Sequence, residues 1–127
     1  MGRKTNDQLL TFGDYSGKEV FVVSRSRTGE RDENVTFVGP EIVGIVRSLK
    51  ADEGTGIWLV GGSQLVRLFI AEHLIDEIII SVHPIILGSG IPLFIIHDDE
   101  TQLVFAGCKS FNSGLVQLKY NVKKQGE

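Results

Sequence analysis

The chain predicts an α/β domain: a sheet parallel in its middle, with helices packed on it, ending in an antiparallel edge. Three observations carry this. Short runs rich in β-branched and aromatic residues alternate with helical repeats over the first part of the chain. The apolar run Ile57-Trp58-Leu59-Val60 passes straight into Gly61-Gly62-Ser63-Gln64 and the amphipathic Leu65-Val66-Arg67-Leu68-Phe69-Ile70, the strand–turn–helix order of a parallel unit. The last two apolar runs are joined only by residues 109–114, a connection short enough for an antiparallel pair.

Taken in order, residues 5–10 predict a short helix with Thr5 as N-cap. Residues 19–24 are a strand by their Val, Phe and Val content, and the polar stretch 25–34 is a loop. Residues 35–38 form a second strand, stopped by Gly39-Pro40. From 41 to 50 the apolar positions Ile42, Val43, Ile45, Val46 and Leu49 follow a helical period. A turn at 52–56 leads to the strand at 57–60 and a helix over 64–73. Residues 77–82, centred on three isoleucines, are a strand apolar enough to be buried on both faces. A loop containing Gly88-Ser89-Gly90 follows, then strands at 102–108 and 115–122.

Composition sets bounds on function. At 127 residues the chain predicts one domain with one core. A net charge of −3 argues against a nucleic-acid partner. The charge is uneven: residues 1–31 carry six Lys/Arg against four Asp/Glu, leaving seven against twelve elsewhere. A basic first third suits a small anionic ligand. The apolar runs stop well short of the roughly 20 residues of a membrane span, and Met1-Gly2-Arg3-Lys4-Thr5 leads into polar residues rather than a secretory leader. The expected location is the cytoplasm. Cys108 is the single cysteine, so no intrachain disulfide forms, and its apolar neighbours predict a small core residue.

Three segments are candidates for one ligand site at the carboxyl ends of parallel strands: Gly2-Arg3-Lys4-Thr5, Ser24-Arg25-Ser26, and Gly61-Gly62-Ser63-Gln64-Leu65. The last opens a helix, whose unpaired N–H groups and positive dipole end attract phosphate. Arginine forks and hydroxyls complete a donor set for phosphate oxygens. Taken singly, each segment could be a solvated loop end; together they point to an anionic dinucleotide. His73, His83 and His97 are too far apart in sequence for a zinc motif, and no metal is expected. His73 should complement the C-terminal dipole of its helix. Residues 97–100 are expected to be a solvated acidic turn. No nucleophile elbow, P-loop or carboxylate pair is present, so the catalytic residues are not identified.

Met-Gly-Arg-Lys-Thr, Val-Val-Ser-Arg-Ser and Val-Gly-Gly-Ser-Gln, in that order, resemble the dihydrofolate-reductase-like superfamily. The segment from Leu74 through His83-Pro84-Ile85-Ile86-Leu87-Gly88-Ser89-Gly90 to Phe94 is similar to the C-terminal reductase domain of the bifunctional riboflavin-biosynthesis deaminase-reductase and its stand-alone bacterial relatives. The resemblance covers nearly the whole chain. It implies a three-layer fold and an NADPH-dependent hydride transfer to a small heterocyclic or sugar-linked substrate, such as a phosphoribosylaminouracil. By resemblance, Gly2, Arg3, Lys4 and Thr5 face the cofactor phosphates. Ser24, Arg25 and Ser26 hold the 2′-phosphate, and Gly61, Gly62, Ser63, Gln64 and Leu65 cradle the pyrophosphate. Relatives usually carry a strand, a substrate-facing loop and helix, and a further strand before the Met-Gly-Arg-Lys-Thr motif, at which this chain begins. The expectation is therefore a fold truncated at its N-terminus, in which cofactor binding is better supported than turnover. The alternative functions are a non-catalytic NADP-binding or assembly remnant and an unrelated interaction domain. A homodimer is also expected, because the strands at 77–82 and 104–108 have apolar faces and an open edge to cover.

Overall fold

The computed structural model describes residues 1–2, 18–26, 28–29, 31–32, 35–95 and 99–124. Among the described residues two helices and six strands are formed, in the order β1 (Val20–Val23), β2 (Arg31–Asp32), β3 (Val35–Val38), α1 (Ile42–Ala51), α2 (Ser63–Ala71), β4 (Glu77–Val82), β5 (Leu103–Ser110) and β6 (Val116–Val122). The mixed α/β class follows from the sequence as expected. The helix expected at 5–10 and the site residues Arg3, Lys4 and Thr5 lie outside the described residues.

The strands sort into two three-stranded sheets. In the first, β1 runs parallel to β3, pairing Val20 with Val35 and Val23 with Val38, and β2 adds antiparallel to the far edge of β3. Met1 and Gly2 extend this sheet beyond β1. Val23 N–H donates to Met1 O at 2.8 Å, the Met1 ammonium donates to Phe21 O at 2.9 Å, and Gly2 bridges Val23 in parallel sense.

Both helices obey their apolar period. Ile42 and Val46 of α1, and Leu65 and Phe69 of α2, stand four residues apart on one face, and all four are buried with Val38 and Leu74 in one cluster. A second cluster, Val20, Val22 and Phe37, lies within the first sheet. Helix α2 ends in a Schellman motif: His73 N–H donates to Ile70 O and Leu74 N–H to Phe69 O. Leu74 and Phe69 share the core, which is the apolar contact this motif commonly carries. His73 sits there at φ 56°, a left-handed position that usually falls to glycine. The residue therefore turns the chain at the helix end, a backbone role its position in the sequence did not announce.

The second sheet has the order β4-β6-β5, antiparallel throughout, with a bulge between Phe105 and Gly107. Asp76 ties it to the helical layer. Its carboxylate receives Lys50 Nζ from α1 and Lys124 Nζ from beyond β6, each at 2.6 Å, while its own carbonyl accepts Val122 N–H at 2.9 Å.

Four expectations change. Residues 57–60 pair in no ladder among the described residues, and Ile57 and Trp58 are exposed; a run of β-prone side chains becomes a strand only where a neighbour accepts its backbone bonds. The antiparallel strands accordingly form a sheet of their own. Neither β4 nor β5 is buried on both faces, and Cys108 is exposed rather than a core residue, because among the described residues every buried hydrophobic side chain belongs to residues 20–74.

Candidate functional site

Among the described residues, Gly2 links the other two predicted segments. Gly2 is the hinge of the arrangement. On one side it bridges Val23, the last residue of β1, so that Ser24, Arg25 and Ser26 leave the sheet beside it. On the other side its N–H donates to Gly61 O at 2.8 Å. A side chain at Gly2 would stand 3.6 Å from Gly62 N, so the first and third segments are in van der Waals contact. Gly61 is buried at φ 111°, a conformation that side-chain-bearing residues rarely adopt, and the Gly61–Gly62 peptide is cis.

Gly62 is the N-cap of α2, in an extended conformation, with no side-chain cap. The first intrahelical bond runs from Val66 N–H to Gly62 O at 3.0 Å, so the helix itself supplies no acceptor for the N–H groups of Ser63, Gln64 and Leu65. The first turn holds no acidic residue to compete for them. Gln64 is exposed and Ser63 half-buried, so both present side chain as well as backbone. Leu65 gives its side chain to the core, leaving its N–H as the group that could meet a ligand. The helix dipole adds partial positive charge at this point.

The second segment is a built loop. Ser24 is buried, and its N–H donates to Val38 O at 2.8 Å, which continues the β1–β3 ladder by one bond. Its hydroxyl accepts Ser26 N–H at 3.3 Å and lies 3.5 Å from the Ser26 hydroxyl. This folds the turn so that Arg25 and Ser26 are exposed at the strand end. Thr28, which sequence reasoning missed, closes the loop by donating its hydroxyl to Ser24 O at 2.8 Å. Gly29 N–H then returns to Phe37 O at 2.9 Å. Gly39 makes room for this return: a Cβ there would stand 2.9 Å from Thr28 Oγ1. The alternation Ser24, Ser26, Thr28 was the visible signal, but only the fold places the third hydroxyl under the first. Nearby, the Glu41 carboxyl is held below its ordinary range, chiefly by the backbone N–H of Gly39 and then by its own.

The RibD C-terminal domain family matches residues 3–117. The chain belongs to this family. The uncharacterized protein YwjB of Bacillus subtilis (strain 168) is 40% identical over 123 residues, spanning 94% of this chain and 70% of YwjB. The uncharacterized YyaP of the same organism is 38% identical over 104 residues, and the match covers 82% of this chain and 55% of YyaP. Among solved structures, a Shewanella sp. PV-4 protein named for riboflavin biosynthesis superposes with a TM-score of 0.82 at 31% identity, over 98% of this chain and 72% of that one. A pyrimidine reductase-like protein of Corynebacterium diphtheriae shares the fold, with a TM-score of 0.66 at 16% identity over 97% of this chain and 68% of that one. The domain is thus reductase-like, and the dihydrofolate-reductase-like architecture expected from the sequence is the one these neighbours share. Among the described residues no group of three or more His, Cys, Asp or Glu could hold a metal ion, and no helix is long and apolar enough to cross a membrane.

Proposed function

We propose that this RibD-type domain is an NADPH-dependent reductase of the riboflavin-biosynthesis kind, acting on a small heterocyclic or sugar-linked substrate of the phosphoribosylaminouracil class. One observation carries the reading. Gly2 joins the hydroxyl- and arginine-bearing loop after β1 to the uncapped N-terminus of α2, through the Val23 bridge and the 2.8 Å bond to Gly61.

The donor set fits a dinucleotide with a phosphorylated ribose. The first-turn amides of α2 and Ser63 would hold the pyrophosphate, where absent side chains at Gly61 and Gly62 permit close backbone approach. Arg25 and Ser26, exposed on a loop held by Ser24 and Thr28, would hold the 2′-phosphate. Bound there, NADPH supplies the hydride. The reading makes the protein cytoplasmic, with its lone cysteine suited to a reducing compartment.

Calorimetric titration of the chain with NADPH and NADH tests the cofactor assignment. NADPH should bind the more tightly, and absence of binding by either dinucleotide would overturn the reading. NADPH oxidation against a panel of ribosylaminopyrimidines and pterins tests turnover. A binding-only function has one observation in its favour: residues 57–60, directly before the glycine pair, have no ladder partner among the described residues. Tight NADPH binding without oxidation of any panel member would select that function.

A further inference from the structure

Arg25 shares the strand ends with a charge of opposite sign. β1 and β3 pair in parallel up to Val23 and Val38, so the residues that follow leave the sheet side by side: Ser24-Arg25-Ser26 after β1 and Gly39-Pro40-Glu41 after β3. Two backbone bonds tie the loop after β1 to β3, from Ser24 N–H to Val38 O at 2.8 Å and from Gly29 N–H to Phe37 O at 2.9 Å. Gly39 marks the meeting point of the two segments. A Cβ there would stand 2.9 Å from Thr28 Oγ1 and 3.2 Å from Glu41 Oε2. The hydroxyl that closes the loop and the Glu41 carboxylate thus border one small space. Glu41 is exposed, yet its side chain is folded back toward the loop after β1. Hydrogen bonds with the backbone of Gly39, and then of Glu41 itself, hold the carboxyl there and keep it below its ordinary range.

The two charges make opposite demands on a ribose. The Arg25 guanidinium offers donors and positive charge, which suit a 2′-phosphate. An ionised carboxylate offers only acceptors, which suit a free 2′-hydroxyl and repel a phosphate. Specificity is a difference of two affinities, so a repulsive group sets it as surely as an attractive one. We infer, resting on the dinucleotide reading proposed above, that Glu41 is a specificity-determining residue of this site. It accepts from the 2′-hydroxyl of an unphosphorylated dinucleotide and opposes a 2′-phosphate, so the preference for NADPH is set by Arg25 against Glu41. A carboxylate and a phosphate dianion about 6 Å apart in solvent repel enough to change affinity roughly three- to tenfold. Glu41 is also the N-cap residue of α1, where its charge complements the helix dipole. That duty concerns stability and bears equally on both dinucleotides.

Calorimetric titration of wild type, Glu41→Gln and Glu72→Gln with NADPH and NADH tests this. Glu41→Gln should bind NADPH roughly three- to tenfold more tightly and NADH more weakly, and the gain for NADPH should shrink in molar salt. Glu72→Gln removes the same charge at the far end of α2, where the carboxylate pairs with Arg47 at 2.8 Å, and should leave the ratio of the two affinities at its wild-type value. An unchanged ratio in Glu41→Gln, with wild type binding NADPH, overturns the inference and leaves the cofactor reading standing. So does equal weakening of both dinucleotides, which would make Glu41 a helix cap alone, or an equal change of ratio in Glu72→Gln, which would make the effect one of net charge. Absence of binding of either dinucleotide to wild type overturns the cofactor reading and this inference with it.

Discussion

Asp76 is where the two halves of the molecule are pinned, and replacing it by Asn should loosen them measurably. The carboxylate takes Lys50 Nζ and Lys124 Nζ at 2.6 Å each, one from the end of α1 and one from beyond β6. Both lysines also donate to backbone carbonyls, of Leu74 and Ile75, so they stay anchored when the carboxylate is lost. Asp76 itself is 62% exposed, so solvent screens both pairs. Two exposed ion pairs at ~0.2–1 kcal/mol each give a combined loss of about 1 kcal/mol. For a domain of this size that is a fall in Tm of roughly 3–5 °C. The pairs hold the Asp76 carboxyl below the usual aspartate range, through the Lys124 hydrogen bond first and Lys50 second. A depressed folded pKa means the stabilisation is present above the unfolded value, about 3.9, and is lost as pH falls through the lower folded value. Thermal unfolding of wild type and Asp76→Asn across pH 7 to the acid limit of the native state should therefore show a gap that closes on acidification, and that narrows in molar salt. A gap of the same size at neutral and acid pH, or none at neutral pH, would refute the electrostatic account of this joint.

The remaining expectations concern the loops and the helix end. Arg25→Ala should weaken NADPH binding by ~1.5–3 kcal/mol, the worth of a hydrogen bond to a charged group, and leave NADH little changed; calorimetry showing equal loss for both would move the 2′-phosphate elsewhere. Thr28→Val, which removes the bond to Ser24 O, should reduce the preference for NADPH over NADH, and Thr28→Ser should restore it. Gly62→Ala should abolish dinucleotide binding while circular dichroism stays native, because the extended backbone at φ −83° accepts any residue; retained affinity would make this glycine structural alone. His73→Gly should raise stability by ~0.5–1 kcal/mol in urea unfolding, since glycine occupies the left-handed position at φ 56° without the steric cost of a Cβ.

Local pattern was enough for most elements. β3 and β4 have the bounds their side chains predict, and α1 and α2 lie within two residues of theirs, because periods of two and of 3.6 residues are written into neighbouring positions. Gly2 meets Val23 at the carboxyl end of β1 and Gly61 before α2, a place where a parallel sheet presents loops. What tertiary structure decided was everything that needs a distant partner. Residues 57–60 have strand chemistry but no ladder among the described residues, because pairing belongs to the neighbour as much as to the run. Cys108 sits in an apolar stretch yet is exposed, because burial depends on what covers a face and not on the residues that compose it. Thr28 lies in a polar loop with no motif of its own; only the return of that loop over Gly39 sets its hydroxyl beneath Ser24.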